Sequence, residues 1–161
     1  MEHPDFLLFP TLFHQQRDSI VPSAQKCFDA ISPFFPPPSL VRLEYWAHTV
    51  EWRRLESFEN VKRLAGQHIW RDEVLADRFD WGREQGIYAI VVRVFKLGTA
   101  IELPMLPEYR GCKSWVQVAH PAPEMGSAPV LNDQSFARKV SDFHDACDCP
   151  DTSVKKQFPS S

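Results

Sequence analysis

Residues 87–97, Ile-Tyr-Ala-Ile-Val-Val-Arg-Val-Phe-Lys-Leu, are the stretch that most restricts the fold. Read as a strand, they carry Ile87, Ala89, Val91 and Phe95 on one side and Tyr88, Ile90, Val92 and Val94 on the other. A strand that is apolar on both faces has no side to turn toward water, so it is predicted to be central in its sheet. Arg93 interrupts the first of these faces. A guanidinium taken out of water costs several kcal/mol unless a carboxylate or a polar cleft meets it, so the fold must supply one or the other.

The central strand needs neighbours. Residues 40–55 alternate as a second strand, with Trp46, His48, Val50 and Trp52 on one side and Tyr45, Ala47, Thr49 and Glu51 on the other. Strands usually run about five or six residues, so one this long is predicted to bend or bulge, around residues 47–49. Phe6-Leu7-Leu8-Phe9-Pro10-Thr11 reads as a short buried strand stopped by its proline, and Cys112-Lys113-Ser114-Trp115-Val116-Gln117-Val118 as a further strand after a loop over residues 98–111. Helices are predicted after Ser23 (Ala24, Cys27, Phe28, Ile31), after Ser57 (Phe58, Val61, Leu64, Ala65, ended by Gly66), over residues 72–81 (Val74, Leu75, Arg78, Phe79) and after Asp133 (Phe136, Ala137, Val140, Phe143, Cys147). Pro36-Pro37-Pro38 is a stiff connector.

With 161 residues, 43% hydrophobic content, five Trp, twelve Phe and three Tyr, the chain can fill one core. The expected fold is α+β: residues 1–149 form a single domain with a strongly curved mixed or antiparallel sheet flanked by three to four short helices, a small barrel being one way to arrange it. Residues 150–161 read as a disordered tail.

Charge and motifs exclude several classes. A net charge of −3 with a pI near 6.1 provides no global basic field for coating nucleic acid, although a local basic groove is compatible with it. No apolar run approaches the roughly 20 residues a membrane-spanning helix requires, and Glu2, His3 and Asp5 lie where a secretory leader would be basic and then apolar. A cytoplasmic setting with Cys27, Cys112, Cys147 and Cys149 as free thiols is therefore expected. Cys147-x-Cys149 lacks the two-residue spacing of a zinc pair, and there is no Gly-rich phosphate loop, no His-Glu-x-x-His and no Gly-x-Ser-x-Gly elbow, so neither a metal nor a cofactor is expected.

Three stretches carry a resemblance. They are Phe6-Leu7-Leu8-Phe9-Pro10-Thr11 with His14-Gln15; His68-Ile69-Trp70 leading through Arg78 to Arg93-Val94-Phe95-Lys96-Leu97; and Tyr109-Arg110-Gly111-Cys112-Lys113-Ser114-Trp115 followed by Pro129-Val130-Leu131-Asn132-Asp133. In this order they resemble the domain-of-unknown-function 1802 family and span most of the chain. The family brings no assigned chemistry. Its members carry a strand and a Leu-Arg-Lys-Gly-Gly-Ile-like segment ahead of the stretch matching Phe6, and this chain shows none. The resemblance thus implies a truncated gene model or a lost part of a site, and an unpaired sheet edge that invites self-association or a partner strand.

His14, His68, Arg78, Arg93, Tyr109 and Lys113 are the candidate ligand-binding residues, taken to line one cleft. Each has a plainer reading beside the functional one. His14 can simply fasten its turn and His48 beside Trp46 and Trp52 can be a satisfied core histidine, whereas for His68 the functional reading is that Arg71 and Asp72 complete a polar cluster with it. Arg93 can form a structural ion pair, with Glu51 or Asp77 as partner, or bind an anion, and Arg78 admits the same two readings. Tyr109, Lys113 and Trp115 read as an aromatic and basic lip able to stack on a nucleotide.

The first functional reading is a ligand- or nucleic-acid-recognition module whose partner is a short nucleic acid or an anionic small molecule. The alternatives are an enzyme or a structural interaction protein. The enzyme would use either Cys112 as an activated thiol beside Lys113, or Glu44, Glu51 and Asp77 for metal-dependent phosphodiester chemistry.

Overall fold

A computed structural model describes residues 4–10, 16–31, 39–109, 115–118 and 127–148. Four antiparallel strands in the order β1-β2-β3-β4 form one open sheet: β1 (Asp5–Leu7), β2 (Leu40–Leu55), β3 (Ile87–Pro104) and β4 (Ala128–Pro129). Helices α1 (Pro22–Ile31), α2 (Phe58–Arg63), α3 (Asp72–Phe79) and α4 (Asp133–Asp148) complete an α+β domain. Among the described residues the sheet does not close, so they form no barrel. β3 lies in the interior of the strand order, as its two apolar faces require.

β2 and β3 make a long ribbon that is broken twice in register, between Leu43 and Tyr45 and between Thr49 and Glu51. A core sits at each end. At one end Ile87, Ala89 and Val91 pack with Leu55, Val61, Leu64, Leu75, Phe79 and Phe143, so α2, α3 and α4 cover that side of the ribbon. At the other, Val41 and Leu43 join Tyr109, with Ile101, Leu103, Phe9 and Val116 against them. The outward positions of this second end are polar, Arg42 bonding Glu44 (2.7 Å) and Glu102 (3.1 Å).

Several local expectations are corrected. β3 continues to Pro104, where two prolines and the loss of period suggested a loop from residue 98; it does so through an irregular stretch, because Tyr45 pairs Lys96 while Leu43 pairs Ile101. Residues 115–118 form no strand, and residues 112–114 lie outside the described residues, as do Pro36-Pro37-Pro38, Cys149 and residues 150–161. β1 begins at Asp5 and is half exposed rather than buried. α1 starts at Pro22, whose fixed φ suits a first helical position, so Ser23 lies inside the helix. The cap of α4 is Asn132, whose Oδ1 accepts the Ser135 N–H at 2.8 Å, and Asp133 is the first helical residue.

Candidate functional site

The bulge between Thr49 and Glu51 decides what shares a face with Arg93. One extra residue in β2 reverses its side-chain alternation relative to β3. The register pairs Trp46 with Phe95, His48 with Arg93 and Glu51 with Val91, and the three β3 positions alternate onto one side. Glu51 therefore joins Trp46 and His48, while Trp52, paired with Ile90, turns to the opposite side. This corrects the straight alternation, which put Trp52 with His48 and Glu51 across from them.

On this shared face three rows follow one another. Trp46 and Phe95 stack at 4.3 Å between centroids with planes 11° apart. In the next row His48 Nδ1 lies 2.7 Å from Asp5 Oδ1, supplied by β1. A carboxylate only accepts, so Nδ1 carries the proton of the neutral ring and Nε2 is left as an acceptor. In the third row Glu51 Oε1 meets His144 Nε2 of α4 at 2.7 Å.

Arg93 stands opposite His48, and the first turn of α4 lies over it. Its Nη2 donates to Asp133 Oδ1 at 2.6 Å, and its guanidinium carbon is 4.4 Å from the centroid of the Phe136 ring. The Arg93 side chain is only 12% exposed, whereas that of Asp133 is 99% exposed. Neither Glu51 nor Asp77 is its partner. Among the described residues Asp133 is its one carboxylate, held through one nitrogen of a group with five donors. An exposed ion-pair partner typically contributes about 0–1 kcal/mol, so an incoming oxyanion can replace it at little cost. Arg93 and the adjacent Trp46–Phe95 pair together can hold an anion and present a flat apolar surface beside it, with the His48 Nε2 acceptor nearby for a ligand hydroxyl or N–H.

The other candidates among the described residues do not gather here. Tyr109 is 7% exposed, edge-on to Phe9 at 5.8 Å in the core beside Val41 and Leu43, so it is a core residue rather than part of a lip. Arg78 is exposed on α3 instead of lying on its apolar stripe, because Leu75 and Phe79 take the buried positions. His68 lies in the α2–α3 link, which pairs with residues 20–21, and both of its ring nitrogens are buried without a partner among the described residues. His14, Cys112 and Lys113 lie outside the described residues. Of the four candidates among the described residues, Arg93 alone is in this row.

Asp5, Asp133, Phe136 and His144 escaped sequence reasoning. An acidic residue at an edge strand and a histidine on a helix stripe carry no local signal of a partner dozens of residues away. An open groove of about 330 Å³ lies elsewhere, lined by Glu56, Phe58, Ala76, Phe79, Asp80 and Gln85. No group of three or more His, Cys, Asp and Glu suited to a metal ion occurs among the described residues, and none of their helices is long and apolar enough to cross a membrane.

A family model described as a domain of unknown function, DUF1802, matches residues 1–142. The chain belongs to that family. No curated protein and no solved structure matches it.

Proposed function

We propose that the protein is a recognition module that holds an anionic group on Arg93, the anion being a phosphate or carboxylate borne by a short nucleic acid or by a small molecule. The observation that carries this reading is the mismatch at Arg93: a nearly buried guanidinium on an interior strand satisfied by a single, wholly exposed carboxylate. A purely structural pair in a core would bury both partners and use more of the fork. His48 across the ladder adds a second polar group, and the Trp46–Phe95 pair offers a surface for a base or other planar ring.

Trytophan fluorescence titrations at low and moderate salt test the reading. The probes are inorganic phosphate, a mononucleotide and a short single-stranded oligonucleotide with and without a 5′-phosphate. Salt-sensitive binding that requires the phosphate and is lost in Arg93→Gln supports it. Preference for the oligonucleotide over the mononucleotide assigns the source of the anion. Absence of binding at low ionic strength, or binding indifferent to Arg93→Gln, refutes it.

A further inference from the structure

The outer edge of β2 is paired along only part of its length. β1 lies beside residues 46–48, and Leu8 N–H to Tyr45 O (2.9 Å) and Thr49 N–H to Pro4 O (2.7 Å) extend that ladder to residues 45–49. Residues 50–54 have β3 on their inner side and, among the described residues, no strand on the outer side. The same two hydrogen bonds fix the phase of the backbone: residues 45 and 49 turn their polar groups toward β1. The extra residue before Glu51 reverses that phase, so residues 51, 53 and 55 face β3 while Trp52 and Arg54 present N–H and C=O outward.

An open ladder of this kind is a template for another strand. The outward side at the far end of the ribbon carries the Arg42, Glu44 and Glu102 ion pairs, whereas at this end the Arg54 pairs with Glu56 and Glu84 (3.1 Å each) stand beside large apolar side chains. Here the outward side carries Trp52 (52% exposed), Tyr88 (59%) and Ile90 (46%), with Trp52 and Tyr88 in edge contact at 5.5 Å. Contiguous exposed apolar residues of this size mark interaction surfaces.

We propose that this edge pairs with itself in a second copy of the chain, antiparallel, about a twofold axis at Trp52. A twofold axis normal to the sheet preserves its faces, so residues of equal parity must oppose one another. Centring on Trp52 sets the two Trp52 side chains against each other as a hydrogen-bonded pair and places Val50 opposite the partner's Arg54. It also sets Glu51 opposite the partner's Arg53, twice, in the close non-hydrogen-bonded positions where opposite charges stabilise the pairing. The neighbouring register, centred on Arg53, would oppose two guanidinia at the closest approach. The Val-Glu-Trp-Arg-Arg segment is thus complementary to itself in one register and repelled in the next. The Arg53 side chain is 50% exposed and meets Glu51 of its own chain only at the long distance of 3.8 Å, while His144 holds the other Glu51 oxygen at 2.7 Å, so Arg53 can exchange that loose contact for Glu51 of the second copy. The open span also has the right length, because β1 occupies the edge before it and the chain turns into α2 beyond Leu55.

Sedimentation equilibrium of the full chain over a wide concentration range is the test, with Arg53→Glu and Trp52→Cys as variants. The expected result is a mass twice that of the chain for the parent, a monomer for Arg53→Glu with an unchanged circular dichroism spectrum, and a covalent dimer for oxidised Trp52→Cys whose peptide map joins the two position-52 thiols. A parent that stays monomeric at every concentration overturns the proposal, as it would if the edge were held by the chain's own first residues or by an unrelated strand. A dimer that survives Arg53→Glu, or a covalent dimer bridged elsewhere, overturns it equally.

Discussion

Replacing Leu43 by alanine removes the side chain around which the second core closes. Leu43 is 0% exposed and packs in a cluster with Val41 and Tyr109, with Leu7, Phe9, Ile101 and Leu103 against it. Losing three buried carbons at about 0.8 kcal/mol each gives about 2.4 kcal/mol of lost transfer free energy. A residual cavity adds to this, but the surrounding half-buried side chains can move inward, so a total of about 3 kcal/mol is expected, inside the ~2–5 kcal/mol range for such truncations. That is a large share of the ~5–15 kcal/mol stability of a typical domain. Urea unfolding followed by far-ultraviolet circular dichroism measures it, with Val130→Ala as the control, since Val130 is 53% exposed and its truncation should change stability by less than about 0.5 kcal/mol. The midpoint for Leu43→Ala should fall with the slope unchanged. A loss below about 1 kcal/mol, or one no larger than the control, would refute the assignment of a packed core at this end of the ribbon.

Further outcomes follow from local geometry. Gly86 has φ +148°, and a Cβ there would stand 3.2 Å from Leu55 O and 3.4 Å from Arg54 Nε, whereas Gly66 has φ +83° with open space around it; thermal unfolding should show a cost of about 1 kcal/mol for Gly66→Ala and a larger one for Gly86→Ala. Burial pushes the Cys147 thiol up despite the nearby Arg53, so iodoacetamide at mildly alkaline pH, followed by peptide mapping, should alkylate exposed Cys27 well before Cys147. The hydrogen bonds from Arg17 Nε and Nη2 (2.8 and 3.0 Å) hold the Asp29 carboxyl below its usual range. A carboxyl lowered on folding contributes stability that is present above its unfolded pKa, about 4, and is lost as pH falls through the folded value. Asp29→Asn should therefore remove a small part of the acid-limb slope in a stability-versus-pH series and leave the neutral plateau slightly lower.

The ribbon was legible in the sequence over residues 40–55 and 87–97 because its signals there are local, whereas residues 98–104, with an irregular stretch and a closing proline, read as a loop. Two apolar faces from Ile87 onward required an interior strand, and the Phe143 stripe of α4 required a surface to pack on, which the ribbon provides. The site was only half legible. Arg93 announced itself as a charge among apolar neighbours, but its partner was set by where α4 starts and how it crosses the sheet, and neither property is encoded near residue 93. The bulge after Thr49 is the sharper case: strand length called for one near residues 47–49, but no turn residue or glycine marks its exact place, and the single inserted residue exchanged the faces of Glu51 and Trp52. Tyr109 misled because an aromatic beside basic residues looks the same in sequence whether it lines a lip or fills a core; only the proximity of Val41, Leu43 and Phe9 distinguishes the two.

The exchangeable carboxylate on Arg93 is the claim on which the functional reading depends, and Asp133→Asn tests it directly. The asparagine amide oxygen can still accept from the guanidinium, so the substitution should lower stability by about 1 kcal/mol, from the lost charge on a 12%-exposed Arg93 and at the start of α4, while removing the negative charge that competes for the guanidinium. Titrated with the same phosphate-bearing probes, Asp133→Asn should bind several-fold more tightly than the parent, and the gain should vanish when Arg93→Gln is added. Unchanged or weaker binding by Asp133→Asn, in a protein that remains folded, would show that Arg93 serves Asp133 alone.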